Sequence, residues 1–236
     1  MTVKVTDKNC RIYKNIIMKK IAINEPTTVI TNIIISMLSL LCGLSLFKIY
    51  SIKMESVHLH ISIAYCIFAF TNILAGIFHG FHHNFSQTFR NWFWGLTLIL
   101  IGMAIEFFLL GMFLSVFPIK IYFYARWAAI AAMTIYGVII LRNPYFKNCA
   151  YFCIINIAIL FCLSLYSYFT IENYGAFNIL IGLIIFFIGA ALQGAGFSPH
   201  QKFNHNDLFH IFIITGGWFL YKGVILLNDF KTLSGV

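Results

Sequence analysis

The apolar positions of this chain fall in long unbroken runs, without the two-residue alternation or the 3.6-residue rhythm of half-buried elements. A helix crossing a ~30 Å hydrocarbon layer needs roughly 20 mostly apolar residues. Seven stretches reach that length: 29–47, 57–81, 92–117, 119–141, 148–169, 176–197 and 207–227. Polar punctuation separates them at 48–54, 82–91, Pro118, Arg142-Asn143-Pro144, Glu172-Asn173 and Ser198-Pro199-His200. The breaks are short, so consecutive helices are expected to be antiparallel neighbours. A membrane barrel is excluded, because its alternating segments are only about ten residues long. The pattern predicts an all-α polytopic membrane protein. Its seven-helix transmembrane bundle covers 28–228, between a basic tail at 1–27 and a short tail at 229–236.

Composition agrees. Hydrophobic residues make up 61% of the chain and charged residues 10%, where a soluble domain carries about 25% charged residues. Of the 16 Lys and Arg behind the net charge of +9, six (Lys4, Lys8, Arg11, Lys14, Lys19 and Lys20) precede residue 21. The excess is therefore a juxtamembrane tail beside anionic headgroups, not a nucleic-acid-binding face. No short apolar core with a cleavage site follows these residues directly, so they are not read as a signal peptide. The tail also decides orientation, since the loops divide their remaining cations evenly. It places the amino terminus in the cytoplasm and the carboxyl terminus on the opposite face. The six cysteines are not expected to form a disulfide framework in so apolar a chain. Cys149 and Cys153, one helical turn apart, read as packing residues.

Ionisable groups within apolar runs require a reason. The second span ends at His79-Gly80-Phe81-His82-His83, and the seventh begins at His205-Asn206-Asp207-Leu208-Phe209-His210. Alternating direction brings these two ends to one membrane face, whichever way the bundle is inserted. His79 and His83 are spaced to share a helix face if the helix continues past Gly80, as are Asp207 and His210. His79, His83, Asp207 and His210 are accordingly the candidate metal ligands, since imidazoles and a carboxylate suit zinc. Asn72, Gln193, His205 and Asn206 are candidates to line the same pocket. The small-x3-small spacing of Gly76 and Gly80, and the Gly216-Gly217 pair, would allow close helix approach. His58 and His60 read as interfacial. Glu106 and Arg126, at similar depth on either side of Pro118, are expected to form a structural ion pair between the third and fourth spans.

Seven helices, His79 closing the second span and Asn206-Asp207-Leu208-Phe209-His210 opening the seventh resemble the CREST superfamily. This group includes the alkaline ceramidases, adiponectin- and progestin-type receptors and related membrane hydrolases. The resemblance implies a zinc ion at His79 and His210, with a membrane lipid amide or ester as substrate. It also implies water activated by the metal, with Asp207 as its general base when not a ligand. Three family positions differ: Ala75 stands in place of a serine, Asn206 in place of the first histidine of the span-seven pair, and no carboxylate accompanies Asn91. His83, His205 or Asp207 would have to supply the missing ligand. Other functions stay open. These are a non-catalytic receptor or structural bundle of the same fold, a haem protein using facing histidines, and an ion-translocating protein.

Overall fold

The computed structural model describes residues 23–200 and 203–230, so the six basic residues of the amino-terminal tail lie outside it. The described residues form seven α-helices: α1 Pro26–Lys53, α2 Ser56–Phe81, α3 Gln87–Val116, α4 Ile119–Arg142, α5 Phe146–Thr170, α6 Gly175–Gly194 and α7 His205–Val224. A single 3₁₀ turn, His82–Asn84, follows α2. Local chemistry sets the ends. Pro26 stands in the first turn of α1, where its missing N–H is harmless. Met54, in the left-handed region at φ 56°, turns the chain into α2. Ser86 caps α3 by accepting from Phe89 N at 3.3 Å. Asn143 and Pro144 stop α4. The last two helices end three residues before the corresponding apolar runs, α6 at Gly194 and α7 at Val224. After α6, Gly196 at φ 67° turns the chain.

Six of the helices, α1 to α6, are long and apolar enough to cross a membrane. On α1 the usual polarity of a water-soluble helix is largely reversed. On α1 the buried positions include Thr28, Asn32, Ser36 and Ser39, whereas Ile33, Met37, Leu40, Leu41 and Leu44 are exposed. A helix that hides its hydroxyls and amides and presents leucine outward is solvated by hydrocarbon.

Six helices close a ring. α1 packs on α2, α2 on α3, α3 on α5, α5 on α6, α6 on α7, and α7 on α1. α4 stands outside this ring, against α3. Two rows of glycine form the α6–α7 seam: Gly175, Gly182 and Gly189 recur every seven residues, as do Gly216 and Gly223. A Cβ at Gly182 would lie 2.7 Å from the Gly216 carbonyl oxygen, and one at Gly175 2.5 Å from that of Gly223. Of the Gly216-Gly217 pair, only Gly216 serves this contact; Gly217 has open space beside it, and its carbonyl accepts the Tyr65 hydroxyl at 2.8 Å. Beside Gly76 and Gly80 the close neighbour is α1, through Asn32 and Val29.

The main apolar core lies toward the face where α1 ends and α2 begins, and includes Leu46, Val57, Ile61, Met112, Leu183 and Val224. A smaller core, with Leu98, Tyr136, Ile140 and Cys149, docks α4. At the far face Asp229 accepts from Ser56 N at 2.7 Å and Val57 N at 2.8 Å, fastening the end of the chain to the start of α2. His58, near the start of α2, is enclosed by the bundle. It is 0% exposed, and its Nε2 meets the Val224 carbonyl at 3.1 Å. His60 is half-buried, with Nε2 2.7 Å from the Tyr122 hydroxyl.

Candidate functional site

The end of α2 and the start of α7 do share one face of the bundle, and α1 joins them there. Asn24 and Glu25, just before it, and Thr28 and Thr31, in its first turns, supply most of the polar partners. The Asn24 backbone N–H and side-chain amide both donate to the Gly80 carbonyl, at 3.2 and 3.3 Å, fixing the entry of α1 against the last turn of α2. Next to that anchor in sequence, His79 donates from Nδ1 to Glu25 Oε2 at 3.1 Å. The other edge of the His79 environment is aromatic: its ring stands edge-on to Trp94 of α3 at 6.2 Å.

Asp207 is held from both sides. As the third residue of α7 it completes a capping box: Oδ2 accepts from Asn204 N at 3.0 Å, and Asp207 N donates to Asn204 Oδ1 at 3.1 Å. Its second oxygen, Oδ1, accepts from the Thr28 hydroxyl at 2.9 Å, and the residue is 1% exposed. One turn along, buried His210 places Nδ1 2.6 Å from the Thr31 hydroxyl. Thr31 Oγ1 also lies 3.1 Å from the Thr27 and Thr28 carbonyls, to which it donates. With its single proton so engaged, the hydroxyl accepts from His210 Nδ1–H. His79 lies within electrostatic range of both Asp207 and His210. The predicted trio therefore occupies one neighbourhood, threaded by α1.

Other expected members fall elsewhere. His83 does not stack over His79, because the helix ends at Phe81 and the chain passes into the 3₁₀ turn. His83 is exposed there, against the ring of His82 at 4.1 Å. Asn72 is buried but donates to Phe68 of its own helix at 2.7 Å, contributing nothing to the cluster. Gln193 and Asn206 do meet, with Gln193 Nε2 donating to Asn206 Oδ1 at 3.0 Å across the α6–α7 seam. His205, the first residue of α7, is half-buried.

The expected Glu106–Arg126 pair does not form. Arg126 is exposed, with its guanidinium 5.7 Å from the ring centres of Phe123 and Trp127. Glu106 is buried and faces Asn156 of α5. The two residues lie at comparable depth but on different sides of their helices, which matching distances from Pro118 does not detect. Thr28 and Thr31 were absent from the sequence-based site because isolated threonines in an apolar run are ordinary. The signal for Thr28 was the stripe Thr28, Asn32, Ser36 and Ser39 at three- and four-residue spacing; Thr31 had none.

The chain matches a family model, described as a family of unknown function (DUF6962), over residues 27–229. It belongs to DUF6962. The match runs from the first turn of α1 to the Asp229 cap, so it takes in the helix ring and the cluster apart from Asn24 and Glu25. No curated protein and no solved structure matches the chain.

Whether this DUF6962 chain suits a zinc ion turns on its donors. A catalytic zinc takes three protein ligands. Here both Asp207 oxygens carry hydrogen bonds, the Asn206 amide oxygen is engaged by Gln193, and His83 is turned away. His79, His210 and the half-buried His205 keep ring nitrogens without a hydrogen bond to the described residues, but His205 does not gather with the other two. Nowhere among the described residues do three His, Cys, Asp or Glu side chains gather as a ligand set. Two imidazoles with no third donor gathered beside them do not fit the centre that the family resemblance implies.

Proposed function

We propose that this chain is a non-catalytic seven-helix membrane bundle, of receptor or structural type, built on the architecture of the ceramidase and adiponectin-receptor superfamily. All seven helices cross the bilayer. The amino terminus and the histidine cluster lie at the cytoplasmic face, as the basic tail favours. In this reading the imidazoles and Asp207 have become a hydrogen-bonded latch that holds α1 between α2 and α7. One observation carries it: Glu25, immediately before α1, and Thr28 and Thr31 within it bond His79, Asp207 and His210 respectively. Side chains poised for metal-assisted hydrolysis need an open coordination position, whereas these are turned to a neighbouring helix.

The deciding experiment compares detergent-purified wild type with His79→Ala and His210→Ala by elemental zinc analysis, with lipid amide and ester hydrolysis measured alongside. The latch predicts far less than one zinc per chain, no chelator-sensitive hydrolysis, and a lower melting temperature for both variants. One zinc per wild-type chain, lost together with lipid hydrolysis in both variants, would restore the metallohydrolase reading. A Soret band in purified protein would instead establish the haem reading.

A further inference from the structure

Outside the ring, α4 buries Tyr136 and Ile140, both in its second half. In its first half Tyr122 reaches the ring, with its hydroxyl 2.7 Å from His60 Nε2. Phe123, Tyr124, Trp127 and Ile130 are exposed there. Arg126 stands among these side chains and is itself exposed. Its guanidinium lies 5.7 Å from the ring centres of both Phe123 and Trp127. Among the described residues no hydrogen bond or ion pair engages it.

Depth and direction decide what meets that charge. α4 has 24 residues, about 36 Å at 1.5 Å per residue, and so exceeds a ~30 Å hydrocarbon layer by about 6 Å. Arg126 is seven residues past Ile119, roughly 10 Å from the start of the helix. Its backbone is therefore within the apolar layer even when the overhang is shared between both ends. A fixed cation at that depth is costly unless it reaches the headgroups or meets an anion. The Cα–Cβ bonds of a helix tilt toward its amino-terminal end, and for α4 that end is at the far face. The contact with Phe123, one turn nearer that face, follows this direction. The long stem can therefore snorkel to the far-face headgroups. The anion there is the phosphate of a phospholipid, whose oxygens match the paired N–H donors of a guanidinium. A second copy of the chain is a poorer match, because no described helix exposes a carboxylate: Glu106 and Asp207 are both buried.

We infer that Arg126 is a phospholipid-binding residue on the lipid-facing wall of α4, where it holds a lipid phosphate of the far leaflet beside Phe123 and Trp127. The bound lipid braces the half of α4 that buries no side chain in the bundle. The inference rests on α4 crossing the bilayer. It is separate from the latch, so either can fail without the other.

Native mass spectra of the detergent-purified full chain test this, with phosphatidylglycerol titrated against a galactosyl diacylglycerol carrying the same acyl chains. The wild type should retain one phosphatidylglycerol, and Arg126→Gln should bind it about tenfold more weakly. Arg126→Lys, which keeps the charge without the paired donors, should fall between them. The phosphate-free lipid should not distinguish wild type from Arg126→Gln, and inorganic phosphate should not displace the bound phospholipid. Equal phosphatidylglycerol affinity in wild type and Arg126→Gln, or equal wild-type affinity for the two lipids, would overturn the proposal. Displacement by inorganic phosphate would also overturn it, by making the free anion the ligand. A wild-type dimer that retains no lipid and is dissolved by Arg126→Gln would assign the residue to a second copy instead.

Discussion

Asp207 has two carboxylate oxygens, and each joins a different part of the fold. Oδ2 closes the first turn of α7 on Asn204, while Oδ1 ties that turn to Thr28, 179 residues away in sequence. Removing either partner leaves a buried polar atom unmatched, a loss of about 1–3 kcal/mol. Thr28→Val and Asp207→Ala should therefore each destabilise the protein. Because they break the same bond, the double variant should fall short of the summed single effects by roughly 0.5–3 kcal/mol. Unfolding of all four proteins in detergent gives that coupling, and strict additivity would show that the two side chains do not bond. Asp207 and His210 stood out in the sequence because charge and imidazole are rare in apolar runs. Thr28 and Thr31 did not, since a threonine there can bond its own helix, as Thr31 also does. Their second role exists only because α1 lies against α7.

Among the elements, the α6–α7 seam is the contact with least freedom. At Gly182 the atom that a new Cβ would meet is the Gly216 backbone oxygen, at 2.7 Å. Backbone cannot rotate aside, so the helices must separate. Gly182→Ala should destabilise by about 1–3 kcal/mol despite the better helix propensity of alanine. Gly217→Ala, with nothing within 4 Å of the added methyl, should be neutral or slightly stabilising. Melting temperatures of the two variants in one detergent test the pair, and equal losses would show that the seam is not tightly packed. Glycine content alone suggested close approach at Gly216-Gly217, but adjacent residues point 100° apart on a helix, and only one of them faces α6. The same angular reasoning separates Glu106 from Arg126. Depth can be counted along a sequence, whereas facing depends on which neighbour each helix finds.

For the molecule as a whole, ring closure carries the consequence. α1 reaches α7 at the histidine face through Thr28 and Thr31, and again farther along through Ser45 and Tyr221, whose hydroxyls lie 2.7 Å apart. At the far face Asp229 returns to α2. An odd number of crossings places the two termini on opposite sides, whereas six crossings with α7 outside the bilayer would place them together. Reporter tags fused to each end of the full chain, read by accessibility in intact cells, should report opposite faces. Tags on the same face would remove α7 from the membrane and take the proposed topology with it.

The apolar runs by themselves determined the seven helices and their alternating direction. They placed the helix ends to within three residues, except at the end of α1, which runs on to Lys53, and the start of α3, which begins at Gln87. These follow from local forces: the span length that hydrocarbon requires, and the prolines, glycines and polar residues that break a helix. They also placed His79 and His210 at one face, because parity along the chain is enough for that. Only the tertiary structure decided that α4 lies outside the ring, that residues at the start of α1 bond both histidines, and that Glu106 is buried while Arg126 is exposed. Each of these depends on the rotation of a helix about its own axis. In a chain solvated by lipid, apolar residues on every side leave that rotation undetermined until small residues and hydrogen bonds select the neighbour.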